Sequence, residues 1–184
     1  MEKLYYKVIA GNPFFALLVV DLNGVLYYAS VGHSTTTLLN LMAQDFSKLK
    51  AYKLSSVIPK ENELIVNTFN KFSQIIDNPR LIDEFNLQFK LIFGTSLQQL
   101  VWKKLLEIPC GTVTDYGSLA HALGKPNGSR VIGNCVGANR IALIIPCHRV
   151  IAKSQKITGY RYGTDIKQYL LKHELRDNYI KLIK

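Results

Sequence analysis

Five consecutive residues, Pro146-Cys147-His148-Arg149-Val150, set a thiol, an imidazole and a guanidinium side by side. Cysteine attacks as its thiolate, and although the free thiol ionises near pH 8.5, adjacent positive charge lowers that value toward neutrality. Proline restricts the backbone at the head of the segment. The apolar run Ile141-Ala142-Leu143-Ile144-Ile145 before it reads as a buried strand that would deliver Cys147 on rigid structure. Downstream, an amphipathic helix is predicted over Ile166–Asn178, with Glu174 beside Leu170, Leu171 and Leu175. A carboxylate there needs a partner, and His148 is the candidate. Nucleophile, base and orienting carboxylate together follow the logic of thiol catalysis. A buried inert cysteine followed by a surface His-Arg pair is the competing reading of the same five residues.

The elements around this segment are short helices. Thr95 is a plausible N-cap for a helix over Leu97–Ile108, closed by Pro109-Cys110-Gly111. Thr114 or Asp115 can cap a second helix through Leu123, which Gly124 stops, and Ser129 opens a third running toward Ala138. The last two, joined by Gly124-Lys125-Pro126-Asn127-Gly128, are a helix-turn-helix candidate. Arg130 and Asn134 on its second helix, with Asn139 and Arg140 at its end, could approach DNA.

Before Phe93 the chain reads differently. Phe14–Val20 and Val25–Val31 are apolar runs rich in β-branched and aromatic residues, and Asp21-Leu22-Asn23-Gly24 between them suits a hairpin turn. Helical spacing of apolar residues predicts helices over Thr35–Lys50 and Glu61–Ile76. Phe85, Leu87, Phe89 and Leu91 alternate with polar residues as a half-buried strand does. A boundary therefore falls near residues 88–92, which predicts an α+β protein with an N-terminal α/β domain over 1–90 and a mostly helical domain over 91–184.

Composition excludes several classes. Apolar residues make up 48% of the chain and charged residues 20%, as in a folded globular protein rather than a disordered tail. The longest apolar run, Phe14–Val20, is too short to span a bilayer, so no membrane partner is expected. The opening Met1-Glu2-Lys3 has no basic segment leading into an apolar stretch, so no secretory leader is expected either. Three cysteines, an odd number, argue against a disulfide framework and point to a reducing compartment. Charge is uneven: residues 1–92 hold nine basic and eight acidic side chains, whereas 93–184 hold 14 and five, a net of +1 against +9. A half that basic suits a polyanion, because each cation facing a phosphate releases counterions.

The segment from Phe93 to Glu174 resembles the O6-alkylguanine-DNA alkyltransferases, the methylated-DNA–protein-cysteine methyltransferases, and short fungal members most. The resemblance rests on Gly111-Thr112-Val113-Thr114-Asp115-Tyr116-Gly117-Ser118-Leu119-Ala120, Ser129-Arg130-Val131-Ile132-Gly133, Asn139, Pro146–Val150, Gly159-Tyr160 and Lys167 through Glu174, in order. It implies an RNase H-like N-terminal domain and a helix-turn-helix that enters the minor groove. Cys147 would take the alkyl group from O6 of guanine, or O4 of thymine, once per protein molecule. His148 would pass on the thiol proton through a water, with Glu174 orienting it. Asn139 would hold the turn, and Tyr116 would contact the base and help protonate the departing guanine. Arg130 would fill the gap left by the flipped nucleotide, with Ser129, Asn134 and Arg149 as further DNA contacts. Tyr160, Arg161, Val150 and Lys167 would form the substrate pocket. The implied partner is double-stranded DNA containing O6-alkylguanine. The implied protein is a monomer without a cofactor, acting in the nucleus of a eukaryote or the cytoplasm of a prokaryote, and not secreted.

Departures from the family pattern matter too. Some members bind zinc in the N-terminal domain, but residues 1–109 here hold no cysteine and only His33, so no metal is expected. Cys110, Cys135, His121 and His173 match no catalytic position. Arg161-Tyr162 stands where many members have small residues, and side chains pointing inward there would crowd a bulky alkyl group such as benzyl. Two other functions compete: a DNA-binding protein that flags alkyl lesions without chemistry, and a cysteine hydrolase built on Cys147, His148 and Glu174. The first is weakened by Cys147 itself, and the second leaves the basic half, Arg130 and Tyr116 unexplained.

Overall fold

A computed structural model of the chain describes residues 1–59 and 62–182. They form two compact units, residues 1–92 and 93–184. In the first, β1 (Glu2–Ile9), β2 (Phe15–Val20) and β3 (Leu26–Gly32) precede α1 (Thr35–Phe46), β4 (Tyr52–Ser55), α2 (Glu63–Asp77) and α3 (Leu81–Phe85). The sheet order is β3-β2-β1-β4; the first three strands run antiparallel, and β4 lies parallel to β1. Residues Ala16 to Val20 are fully buried, which is why β2 is continuously apolar instead of alternating. Helix α1 packs on β2 and β3, and α2 packs on β2.

The expected hairpin is present. Asp21 Oδ1 accepts the amides of Asn23 and Val25 at 2.8 and 3.0 Å, and Gly24 takes φ +73°. Strands β1 and β4 had no clear signature, because Lys3, Lys7 and Lys53 interrupt their apolar pattern. The expected strand over Phe85–Leu91 is not one. Phe85 closes α3, Asn86 turns at φ 43°, and the segment meets β3 at one bridge between Leu26 and Phe89. Leu87 is buried while Gln88 and Lys90 are exposed, so the alternation reported burial and not a ladder. Helix α1 stops at Phe46, short of Lys50, where the Ser47 hydroxyl and amide both donate to Gln44 O. Helix α2 starts after Asn62, whose side chain caps Ile65 N, and Glu61 lies outside the described residues.

In the second unit, α4 (Ser96–Leu105) opens with a capping box between Thr95 and Gln98. It ends at Leu105, three residues before the expected Ile108. Then come β5 (Thr114–Asp115), α5 (Tyr116–Ala122), α6 (Ser129–Gly137), a 3-10 turn (Cys147–Arg149), β6 (Val150–Ile151), α7 (Thr164–Leu175) and α8 (Asp177–Leu182). The expected helix through Asn178 breaks after Leu175, where Arg176 adopts φ 52°. Helix α6 packs on α4 and α5, and Trp102 Nε1 donates to Cys135 O at 2.7 Å. The molecule is thus of mixed α+β class.

The close approach at Gly24 gives a stability test. A Cβ there would lie 2.6 Å from Leu64 O and 2.8 Å from Thr68 Oγ1, at a φ that L side chains rarely adopt. Gly24→Ala is expected to cost about 1–3 kcal/mol, read as a lowered urea midpoint with unchanged slope.

Candidate active site

The seat of Cys147 is built by one side chain. Asn139 follows α6 and is fully buried; its Oδ1 accepts Ile141 N at 2.9 Å, while its Nδ2 donates to Ile141 O, Ile145 O and Cys147 Sγ at 3.3, 3.1 and 3.2 Å. Those bonds replace a sheet ladder. Residues 141–145 are therefore not the expected strand but a buried coil of tight turns, with Leu143 at φ 68° and Ile145 N donating to Ile141 O. Tyr162 Oη closes the arrangement by donating to Asn139 O at 2.9 Å.

Cys147 is 3% exposed, and burial pushes its thiol above the ordinary range. The Asn139 hydrogen bond and the charges of Lys167 and Arg161 oppose that shift and do not overcome it. The expectation that neighbouring charge would lower the Cys147 value is thereby reversed, and the resting group is a thiol. His148 and Arg149, the charges invoked, turn away toward Glu174. His148 Nε2 meets Glu174 Oε1 at 2.8 Å; Arg149 Nε donates to Oε2 at 2.8 Å and Nη2 to Oε1 at 3.1 Å. Arg149 Nη1 also donates to Ile108 O at 2.7 Å. All three side chains are at most 1% exposed. Burial alone would raise the Glu174 carboxyl, but His148 and Arg149 hold it down to about 2. An ionised carboxylate only accepts, so His148 carries its proton on Nε2. Its Nδ1, buried with no hydrogen-bond partner among the described residues, is left as the acceptor for a proton.

On the outer side of Cys147 lies a cleft of about 710 Å³, lined by Tyr116, Ser129, Arg130, Gly133, Val136, Gly137, Cys147, Gly159, Tyr160 and Arg161. Tyr116 opens α5, which Asp115 caps by accepting Gly117 N and Ser118 N. Its ring lies 3.5 Å from where a Cβ on Gly133 would stand. Burial, and then Cys147, push the Tyr116 hydroxyl up, and the same two causes push Tyr160 well up. Arg130 and Asn134 are exposed one turn apart on α6. Lys167, fully buried, donates from Nζ to Val150 O, Thr158 O and Gly159 O at 2.6, 3.1 and 3.3 Å. Burial lowers its value to about 8.

Cys147, Tyr116, Arg130, Ser129, Tyr160 and Arg161 thus meet at one cleft, with His148, Glu174 and Asn139 behind the sulfur. Three expectations need correction. Arg149 cannot be a DNA contact, because its guanidinium is buried on Glu174 and Ile108. Val150 and Lys167 do not line the cleft; Lys167 instead ties β6 to the loop carrying Tyr160 and Arg161. Tyr162, 7% exposed, turns inward to Asn139, so only Arg161 of that pair crowds the cleft. Gly133, Val136 and Gly137 were missed. Two glycines inside a nine-residue helix, each costing about 1 kcal/mol of helix propensity, were the available signal of a close approach.

A profile of the 6-O-methylguanine DNA methyltransferase DNA-binding domain matches residues 96–176. The sequence is 43% identical to a methylated-DNA–protein-cysteine methyltransferase of Scheffersomyces stipitis, with 97% of each chain covered. It is 44% identical to one of Candida albicans over 95% of this chain and 98% of that one. Among solved structures, Mycobacterium tuberculosis OGT in complex with DNA aligns at TM-score 0.68 and 27% identity over 98% of this chain and 99% of that one. A variant of the M. tuberculosis O6-methylguanine methyltransferase aligns at TM-score 0.70 and 28% identity, covering 94% of this chain and 93% of that one.

Glu174 makes stability depend on pH. Its folded value near 2 lies below the ordinary 4.3 or so, so its contribution of about 3 kcal/mol is present above pH 4.3 and lost as pH falls toward 2. Glu174→Gln should cost about 3–5 kcal/mol at pH 7, because it leaves the Arg149 cation buried without a counter-charge. Urea unfolding should show the gap between native protein and variant narrowing as pH drops from 5 to 2; a constant gap would contradict the ion pair.

Proposed function

The chain belongs to the methylated-DNA–protein-cysteine methyltransferase family, which reverses DNA alkylation directly, and within that activity we propose that Cys147 is the alkyl acceptor and O6-alkylguanine the lesion. The observation that carries this is the position of the Cys147 sulfur, at the floor of an open cleft with an oriented base behind it. The thiol proton passes to His148 Nδ1, directly or through one water. The sulfur then attacks the alkyl carbon in line, the carbon–O6 bond breaks, and its electron pair returns to the guanine, which takes a proton from Tyr116. Glu174 stabilises the imidazolium, and Asn139 holds the sulfur by its hydrogen bond. A thioether has no good leaving group, so each molecule acts once. O4-alkylthymine presents the same kind of bond and is the secondary substrate.

A base inside the stack cannot bring O6 to the sulfur, so the nucleotide is extruded, at a few kcal/mol. Helices α5 and α6 act as a helix-turn-helix; Arg130 fills the gap, and Ser129 and Asn134 lie on the same exposed side. Support comes from the net +9 of residues 93–184 and from Gly133 and Gly137, which leave the α6 backbone open to close approach. Residues 91–184 are thus the DNA-binding and acceptor domain. The order β3-β2-β1-β4, with only β4 parallel, supports an RNase H-like reading of residues 1–90. The protein works as a monomer, and given its yeast relatives, in the nucleus.

Incubation with duplex containing O6-methylguanine should place one methyl on Cys147 per molecule, as peptide mass spectrometry would show. Multiple turnovers, or methyl on Cys110 or Cys135 with Cys147 free, would contradict the assignment. Arg130→Ala should slow repair of duplex by roughly tenfold or more while reaction with free O6-methylguanine base changes far less, since Arg130 is assigned to the duplex gap. Equal losses on both substrates would refute that role.

A further inference from the structure

Two arginines line the cleft, and only Arg130, exposed on α6, is assigned to the duplex in the reading above. Lys167 is buried, with its ammonium hydrogens directed at three carbonyls. Arg161 follows Tyr160 and lines the cleft together with Cys147. Its guanidinium carbon stands 5.9 Å from the centre of the Tyr162 ring, which itself is held on Asn139, and its Nε is buried. Its charge is close enough to favour ionised sulfur at Cys147. Among the described residues lining the cleft there is no carboxylate to offset it. The wall beside the acceptor is therefore cationic and poorly solvated, where charge acts more strongly than in water.

On the premise that Cys147 is the acceptor, we propose that Arg161 extends the substrate range to O6-alkylguanines whose alkyl group ends in a carboxylate, with the carboxymethyl adduct the simplest case. Such a group sets a negative charge beside the sulfur that must become a thiolate. Without a partner the carboxylate would be desolvated at a cost and would oppose ionisation of the thiol. Guanidinium offers a planar fork that fits a carboxylate bidentately. Arg161 thus neutralises the group and aligns its methylene carbon with the sulfur. The step is otherwise unchanged: the sulfur bonds the methylene carbon, the carbon–O6 bond breaks, guanine takes a proton, and S-carboxymethylcysteine forms at position 147.

The test compares single-turnover rates on one duplex carrying either O6-carboxymethylguanine or O6-methylguanine, followed as mass gained on Cys147. In Arg161→Gln, the ratio of carboxymethyl to methyl rate should fall on the order of tenfold or more, the loss of one charge-assisted pair. Arg161→Lys, which keeps the charge without the fork, should recover part of the ratio. An unchanged ratio in both variants overturns the proposal, including the case where both rates fall together because Arg161 holds a backbone phosphate. Absence of methyl transfer to Cys147 in the native protein would instead strike the assignment of the acceptor, and this inference with it.

Discussion

The Glu174 carboxylate is shared by His148 and Arg149 in a space that water does not reach. A buried carboxylate on its own would take up a proton; here two partners keep it ionised. Both consequences matter to the site. The imidazole is fixed with Nε2 turned inward, so Nδ1 is the nitrogen left to accept a proton. Arg149, drawn to the same carboxylate and to Ile108 O, ties the turn holding Cys147 to α7 and to the chain following α4. Remove the carboxylate and a cation is stranded in the core while the base loses its orientation.

Asn139 does for the sulfur what Glu174 does for the base. Its amide satisfies two backbone carbonyls and one backbone amide within a coil that has no sheet partner, and the remaining reach of Nδ2 is given to Sγ. A buried coil is tolerable only when such groups are paired. Lys167 plays the same part for the outer wall, joining β6 to the loop that carries Tyr160 and Arg161. Three buried polar side chains thus set the geometry of an otherwise apolar unit.

Much of this was legible in the sequence. The Cys147–His148 pair, the need of Glu174 for a partner, the Thr95 and Asp115 caps and the hairpin at Asp21–Gly24 all follow from local chemistry. What was not legible depends on tertiary partners. Ile141–Ile145 reads as a strand because its residues are apolar, yet the single Asn139 two positions earlier decides its path. Arg149 reads as a phosphate ligand until Glu174 and Ile108 are seen around it. Tyr162 reads as a pocket residue until its hydroxyl is found on Asn139. Charge next to Cys147 in sequence is not charge next to its sulfur in space, so the direction of its thiol shift was misjudged.

That last point bears on the central claim, that the resting sulfur is a thiol and is ionised only through His148 as transfer occurs. Titrating Cys147 tests it most directly. The thiolate ultraviolet absorbance of the native protein, less that of Cys147→Ala, should rise with a midpoint above the free thiol value of about 8.5. A midpoint at or below neutral pH would mean a preformed thiolate, and would contradict both the dominance of burial at Cys147 and the need for the His148–Glu174 relay.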